Sequence, residues 1–152
     1  MKFIKKVSIL LISIFSLSMG ADINLDEIFS KENNKPIILF FHKDGCGFCE
    51  KMIFELEDKN ISNILDSKFI FLDINRDDDE TILYKGKEQS NREFTKDVGI
   101  DLFPTTIFID KNQNAIYNIV GYRNRKVIKD TLLYISTGAY RDKTFEEFEE
   151  DE

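Results

Sequence analysis

A chain of 152 residues is long enough to bury a substantial core and too short for two typical domains, so one domain is expected. Its 21 basic residues stand against 28 acidic ones; without the first twenty residues, which hold Lys2, Lys5 and Lys6 and no acid, 18 face 28, a net charge of −10. Nucleic acid and anionic membrane surfaces repel such a protein, which excludes both as expected partners.

The start reads as an export signal: "MKFIKK" is basic, "VSILLISIFSLS" is apolar, and small residues lie around Gly20 and Ala21. About twelve apolar residues fall short of the ~20 that a bilayer-spanning helix needs, so cleavage near Gly20 is the expectation and an uncleaved anchor the alternative. The expected organisation is a signal peptide over 1–20, one domain over 21–140 and an acidic, disordered tail over 141–152, in which "FEEFEEDE" supplies six acids.

Within the domain, Leu25, Ile28 and Phe29 recur at helical spacing behind Asn24, which predicts a capped helix over 24–33. "PIILFFH", 36–42, is a continuous run of strand formers and predicts a central strand covered on both faces. After the cysteines, Met52, Ile53 and Leu56, and later Ile61, Ile64 and Leu65, recur at three- and four-residue intervals, predicting a helix that begins at the cysteine pair. "KFIFLDIN" (68–75), "TTIFID" (105–110) and "AIYNIV" (115–120) read as strands, the last two joined by "KNQN" as a hairpin turn. The longer connections among the earlier strands imply crossovers, so the sheet is mixed. Residues 76–98 are polar and read as part loop, part helix. Val127, Ile128, Leu132 and Ile135 form the apolar face of a last helix over 124–136.

The only two cysteines, Cys46 and Cys49, lie in "KDGCGFCEKM". As a staple the pair is poor, since closing a four-residue ring gains roughly 2 kcal/mol before strain, against about 3 for a fifteen-residue loop. Two cysteines and one histidine cannot fill a four-ligand structural zinc site within one chain. A cysteine at a helix start, in contrast, has its sulfur near unpaired N–H groups and the positive end of the helix dipole, which favour thiolate. In an exporting chain, disulfide exchange is then the expected chemistry, with Cys46 attacking and Cys49 resolving.

A strand, then CGFC opening a helix, then "LFPTTIFID" with Pro104 ahead of a strand, resembles the thioredoxin superfamily over about 36–136, and most of all its periplasmic, Dsb-associated members. The resemblance implies an α/β thioredoxin-like fold with a mixed four- to five-stranded sheet flanked by helices on both faces. It also implies a cis peptide before Pro104, and a substrate-binding surface made by Phe48, Phe103, Pro104 and Thr105. Thioredoxins proper carry a tryptophan before the first cysteine, a proline inside the pair and a buried acid six residues upstream; here those positions are Gly45, Gly47–Phe48 and Phe40. A water, Lys43 or Glu50 would have to serve as proton acceptor.

His42, the only histidine, reads as a polar residue ending a strand, or alternatively as a thiolate partner or copper ligand. Lys43 and Gly121 are further candidate modulators of the site. Asp77, Asp79, Thr81 and Glu88 fall at calcium-loop offsets, but Ile82 stands where that loop needs glycine, and a solvated loop is the reading. The expected function is an exported thiol-disulfide oxidoreductase, a reductase or isomerase-like exchanger of periplasmic disulfides. Its expected cofactor set is empty apart from the Cys46–Cys49 disulfide. Expected partners are disulfide-bearing exported proteins and, from the resemblance, a membrane electron donor of the Dsb type, with the chain monomeric. A copper(I)-handling or redox-sensing module is the alternative, and a chaperone-like binder the third reading.

Overall fold

A computed structural model describes residues 20–31 and 35–151. Residues 1–19 of the expected signal lie outside that range. Among the described residues no helix is long and apolar enough to cross a membrane.

In chain order the elements are β1 (Ile23–Asn24), α1 (Leu25–Ser30), β2 (Ile37–His42), α2 (Gly47–Leu56), α3 (Lys59–Lys68), β3 (Ile70–Asn75), β4 (Thr81–Tyr84), β5 (Lys87–Ser90), α4 (Asn91–Asp97), β6 (Thr105–Ile109), β7 (Ala115–Val120), α5 (Arg125–Ser136) and α6 (Phe145–Glu150). The main sheet has the order β3-β2-β6-β7, with β2 parallel to β3 and antiparallel to β6, and β6 antiparallel to β7. The mixed sheet expected from the connection lengths is therefore present.

Strand β2 explains why both faces are covered. Successive side chains point to opposite sides: Ile38 and Phe40 pack with Met52 of α2, Ile61 and Leu65 of α3 and Leu132 of α5, whereas Ile37, Leu39 and Phe41 pack with Leu25 of α1, Ile82 of β4 and Phe94 of α4. Each fully buried phenylalanine or isoleucine side chain contributes roughly 1.5–3 kcal/mol of apolar burial.

Three segments differ from the sequence reading. The helix expected to run on past Leu56 breaks in two, because Asp58 turns its carboxylate onto the N–H of Asn60 at 3.0 Å and caps a new helix. The polar stretch 76–98 holds a β-hairpin before its helix: β4 and β5 pair across Lys85 and Gly86, both with left-handed φ (53° and 73°), and β1 joins β4 to complete a second, three-stranded sheet. The carboxylate of Asp26 accepts the N–H groups of Lys85 and Gly86 at 2.6 and 2.7 Å, which holds that turn against α1. The tail expected to be disordered from residue 141 instead forms α6. Thr144 and Glu147 make a capping box, and Phe148, only 7% exposed, packs its ring 5.4 Å from that of Tyr134. Burial of two aromatic rings, Phe145 and Phe148, outweighs the charge of the acids around them.

Candidate active site

The chain leaves β2 at His42, turns through Gly45 at φ 63°, and enters α2 with Cys46 as its N-cap residue. That cap directs the Cys49 N–H onto Cys46 twice, 2.9 Å to its carbonyl oxygen and 3.2 Å to its sulfur. The helix start thus aims one backbone donor at the Cys46 sulfur, an arrangement that favours negative charge there once the pair is reduced. Cys46 and Cys49 are joined as a disulfide, with Cα atoms 5.2 Å apart. They differ in access: Cys46 is half-buried, whereas Cys49 is 1% exposed behind it.

Facing the pair is the loop that enters β6. The Phe103–Pro104 peptide is cis, and the Phe103 carbonyl oxygen lies 3.9 Å from the Cys46 sulfur. The Pro104 carbonyl accepts the Gly121 N–H at 2.8 Å, and Gly121, at φ 84°, is where β7 turns away; a side chain there would meet strain from the backbone angle rather than from neighbours. Thr105 is buried and its hydroxyl donates to the Leu102 carbonyl at 2.7 Å. Of the residues expected in the client-binding surface, Thr105 thus has its side chain turned inward, where it closes the proline loop.

Three apolar side chains on these segments are exposed: Phe48 (61% exposed) between the cysteines, Leu102 (65%) two residues ahead of Pro104, and Val120 (43%), in register with Thr105. The Phe48 ring stands 6.4 Å from that of Tyr122, with the Lys51 ammonium over its face. Burial, and then the Glu55 carboxylate that accepts its O–H at 3.2 Å, push the Tyr122 hydroxyl above the usual phenol range, so it remains a neutral donor. Sequence reasoning singled out Phe48 but missed Leu102, Val120 and Tyr122. Leu102 stands there only inside the proline motif and Val120 only as the end of a strand, and nothing in the spacing marks either as turned outward.

The buried-acid position is occupied by Phe40, fully covered beneath α2, and its partner in register on β3 is Asp73. The ring of His42 stacks on Phe40 at 5.4 Å, and its Nε2 lies 2.7 Å from an Asp73 carboxylate oxygen, too far off the N–H direction for a well-formed hydrogen bond. His42 is thus a strand-end residue engaged with Asp73. Glu50 is exposed on α2, and Lys43 lies over the Phe103 ring.

The loop after β3 is tied to the cysteine approach. Asp77 accepts the Asp44 N–H at 3.2 Å and ion-pairs with Arg76 and with Arg92 of α4. Partial burial pushes its carboxyl up, but the hydrogen bonds from Arg76 and Asp44 and the charges of Arg76 and Arg92 outweigh this and hold it below the usual carboxylate range. Asp77 is therefore occupied by cations of the chain itself. Among the described residues no three His, Cys, Asp or Glu side chains gather in a way that could hold a metal ion.

A central strand leading into a dithiol at a helix start, opposite a proline loop, is matched by the sequence itself: residues 23–136 fit the family described as Thioredoxin-like domain. The chain belongs to that family. This thioredoxin-like domain resembles a thioredoxin-fold protein from Helicobacter pylori, with a TM-score of 0.63 and 23% identity over 84% of this chain and 88% of that one. It is also similar to a thioredoxin from Thermus thermophilus, with a TM-score of 0.52 and 21% identity over 66% and 73% of the two chains. For the germline-specific thioredoxin Deadhead of Drosophila melanogaster the values are 0.50 and 21%, over 70% and 85%. At these identities the solved structures speak for the fold. No curated protein matches the chain significantly.

Proposed function

We propose that this thioredoxin-like domain is an exported thiol-disulfide oxidoreductase that reduces, or in an isomerase-like way reshuffles, disulfides in periplasmic proteins. The observation that carries the reading is the asymmetry of the pair: Cys46 caps α2 beside the Phe103 carbonyl, while Cys49 is 1% exposed behind it. In the reduced protein, Cys46 thiolate attacks one sulfur of a client disulfide; the other client sulfur leaves as thiolate and takes up a proton, and a Cys46–client disulfide forms. Cys49 then loses its proton, its sulfur attacks that of Cys46, and the second client sulfur leaves as thiolate. Two electrons have passed to the client, and the Cys46–Cys49 disulfide remains. A membrane dithiol donor of the Dsb type would return it to the reduced state. Phe48, the backbone at Phe103 and Pro104, and the exposed Leu102 and Val120 offer the client an apolar approach to the sulfur.

The fold class, the unequal access of the two sulfurs and the export-type start of the chain support this reading. The copper(I) alternative has weaker support, because His42, the third soft donor it would use, is engaged with Asp73. Purified chain lacking residues 1–20 is expected to reduce insulin's interchain disulfides when recycled by a small dithiol. Cys49→Ser should accumulate mixed disulfides through Cys46, and full turnover by Cys46→Ser would overturn the assignment of the nucleophile.

A further inference from the structure

Two cations lie over the Phe103 ring, with Lys43 Nζ 5.7 Å and Arg76 Cζ 5.5 Å from its centroid. The two are not equivalent. Lys43 is an ammonium on a flexible stem, with no ion-pair partner among the described residues, whereas Arg76 is tied through its planar guanidinium to Asp77 and through its backbone to His42. Its Nε and Nη2 donate to Asp77 Oδ1 at 3.1 and 3.0 Å, and its backbone N–H donates to the His42 carbonyl at 2.9 Å. Asp77 in turn takes the Asp44 N–H, and Asn75 Nδ2 donates to Asp44 Oδ1 at 2.9 Å. Three separate segments, the approach to the dithiol at 42–44, the turn after β3 at 75–77 and the proline loop at 102–104, therefore meet around one aromatic ring.

We propose that Arg76 is a positioning residue for protein clients: by clamping the Phe103 ring it holds the Phe103–Pro104 backbone at the Cys46 sulfur, in the place where a client segment would lie. The proposal rests on the oxidoreductase reading and deepens it. The exchange chemistry itself makes no use of Arg76, whose guanidinium contacts a ring and a carboxylate rather than either sulfur. A small disulfide needs only Cys46. A protein client must also lie along the loop, so loss of the clamp should separate the two.

The test compares the wild type with Arg76→Ala and Arg76→Lys, using insulin and glutathione disulfide as oxidants, with the pH profile of Cys46 alkylation as a third measurement. Arg76→Ala is expected to raise KM for insulin about five- to tenfold with kcat within about twofold. The rate with glutathione disulfide and the alkylation profile should stay as in the wild type, and Arg76→Lys, which keeps charge but not the planar fork, should restore only part of the KM. If Arg76→Ala does not fold, Arg76→Gln takes its place with the same expected rise. An unchanged insulin KM, an equal loss with both disulfides, or a displaced alkylation profile would each overturn the clamp. A wild type inert toward both disulfides would instead sink the oxidoreductase reading, and the clamp with it.

Discussion

Phe148→Ala separates two accounts of the acidic end of the chain. Read from composition, residues 145–152 are solvated and the substitution costs nothing. In the structure the Phe148 ring is buried against Tyr134, under the Lys143 ammonium at 5.4 Å from its centroid. Phenylalanine-to-alanine changes in rigid cores cost about 3–5 kcal/mol, part of it for the cavity left behind. Here α6 is a six-residue helix, too short to persist undocked, so it should fray, recover chain entropy and admit water rather than leave a void. That places the loss below the rigid-core range, at about 2–3 kcal/mol. Urea unfolding would read it as a lower midpoint, and amide exchange would show early loss of protection over 145–150 and over the facing turns of α5. Insulin turnover at a temperature well below unfolding should not change. A loss under about 0.5 kcal/mol, the usual range for surface substitutions, would refute the docking of α6.

Gly121→Ala should destabilise by about 1–2 kcal/mol, the cost of a left-handed backbone for an alanine, and Gly121→Asn by less; urea midpoints would rank them. Thr105→Val, which removes a donor from the Leu102 carbonyl, is expected to cost about 1 kcal/mol and to raise the insulin KM by loosening the proline loop. Asp110 accepts the N–H groups of Asn112 and Asn114 at 2.8 and 2.9 Å inside the β6–β7 turn. Partial burial pushes its carboxyl up, but these hydrogen bonds outweigh it, so the folded pKa lies below the ordinary 3.8. The stability it contributes is thus present above the unfolded value and is lost as pH falls through the folded one. The urea midpoints of wild type and Asp110→Ala should accordingly converge below pH 3.8; a gap that stayed constant on acidification would contradict the assignment.

Much of this fold could be read from the chain because its central features are local. The apolar run of β2, the "KNQN" turn and the cap residues Asn24 and Asn124 each act through neighbours in sequence, and the helix start at the cysteines follows from the spacing beyond them. The misses arise where a local signal was outvoted. Ile61 lies five residues beyond Leu56, so the helical phase lapses where the Asp58 cap makes the break, but the regular spacing on either side leads the two segments to be read as one helix. The β4–β5 hairpin turns on Lys85, a residue with no preference for positive φ, and its stability comes from Asp26, far away in sequence. For α6 the signal was present: Thr144 and Glu147 have capping-box spacing and Phe145 and Phe148 share a face, but the surrounding acids dominated the composition. At the site, the dithiol and Pro104 were legible from type and order, whereas the Arg76–Phe103 and His42–Asp73 contacts depend on strand register.

The earliest described residues are stitched to the rim of the site by a relay. Asp22 accepts the Thr81 N–H at 2.9 Å and Asp26 grips the Lys85–Gly86 turn; the hairpin runs straight into α4, whose Arg92 reaches Asp77, and Asp77 holds the backbone two residues ahead of Cys46. Proteolytic trimming that cut past Asp22 would therefore slacken the catalytic approach from a distance, leaving every sulfur in place. An affinity tag or maturation cut belongs upstream of that aspartate.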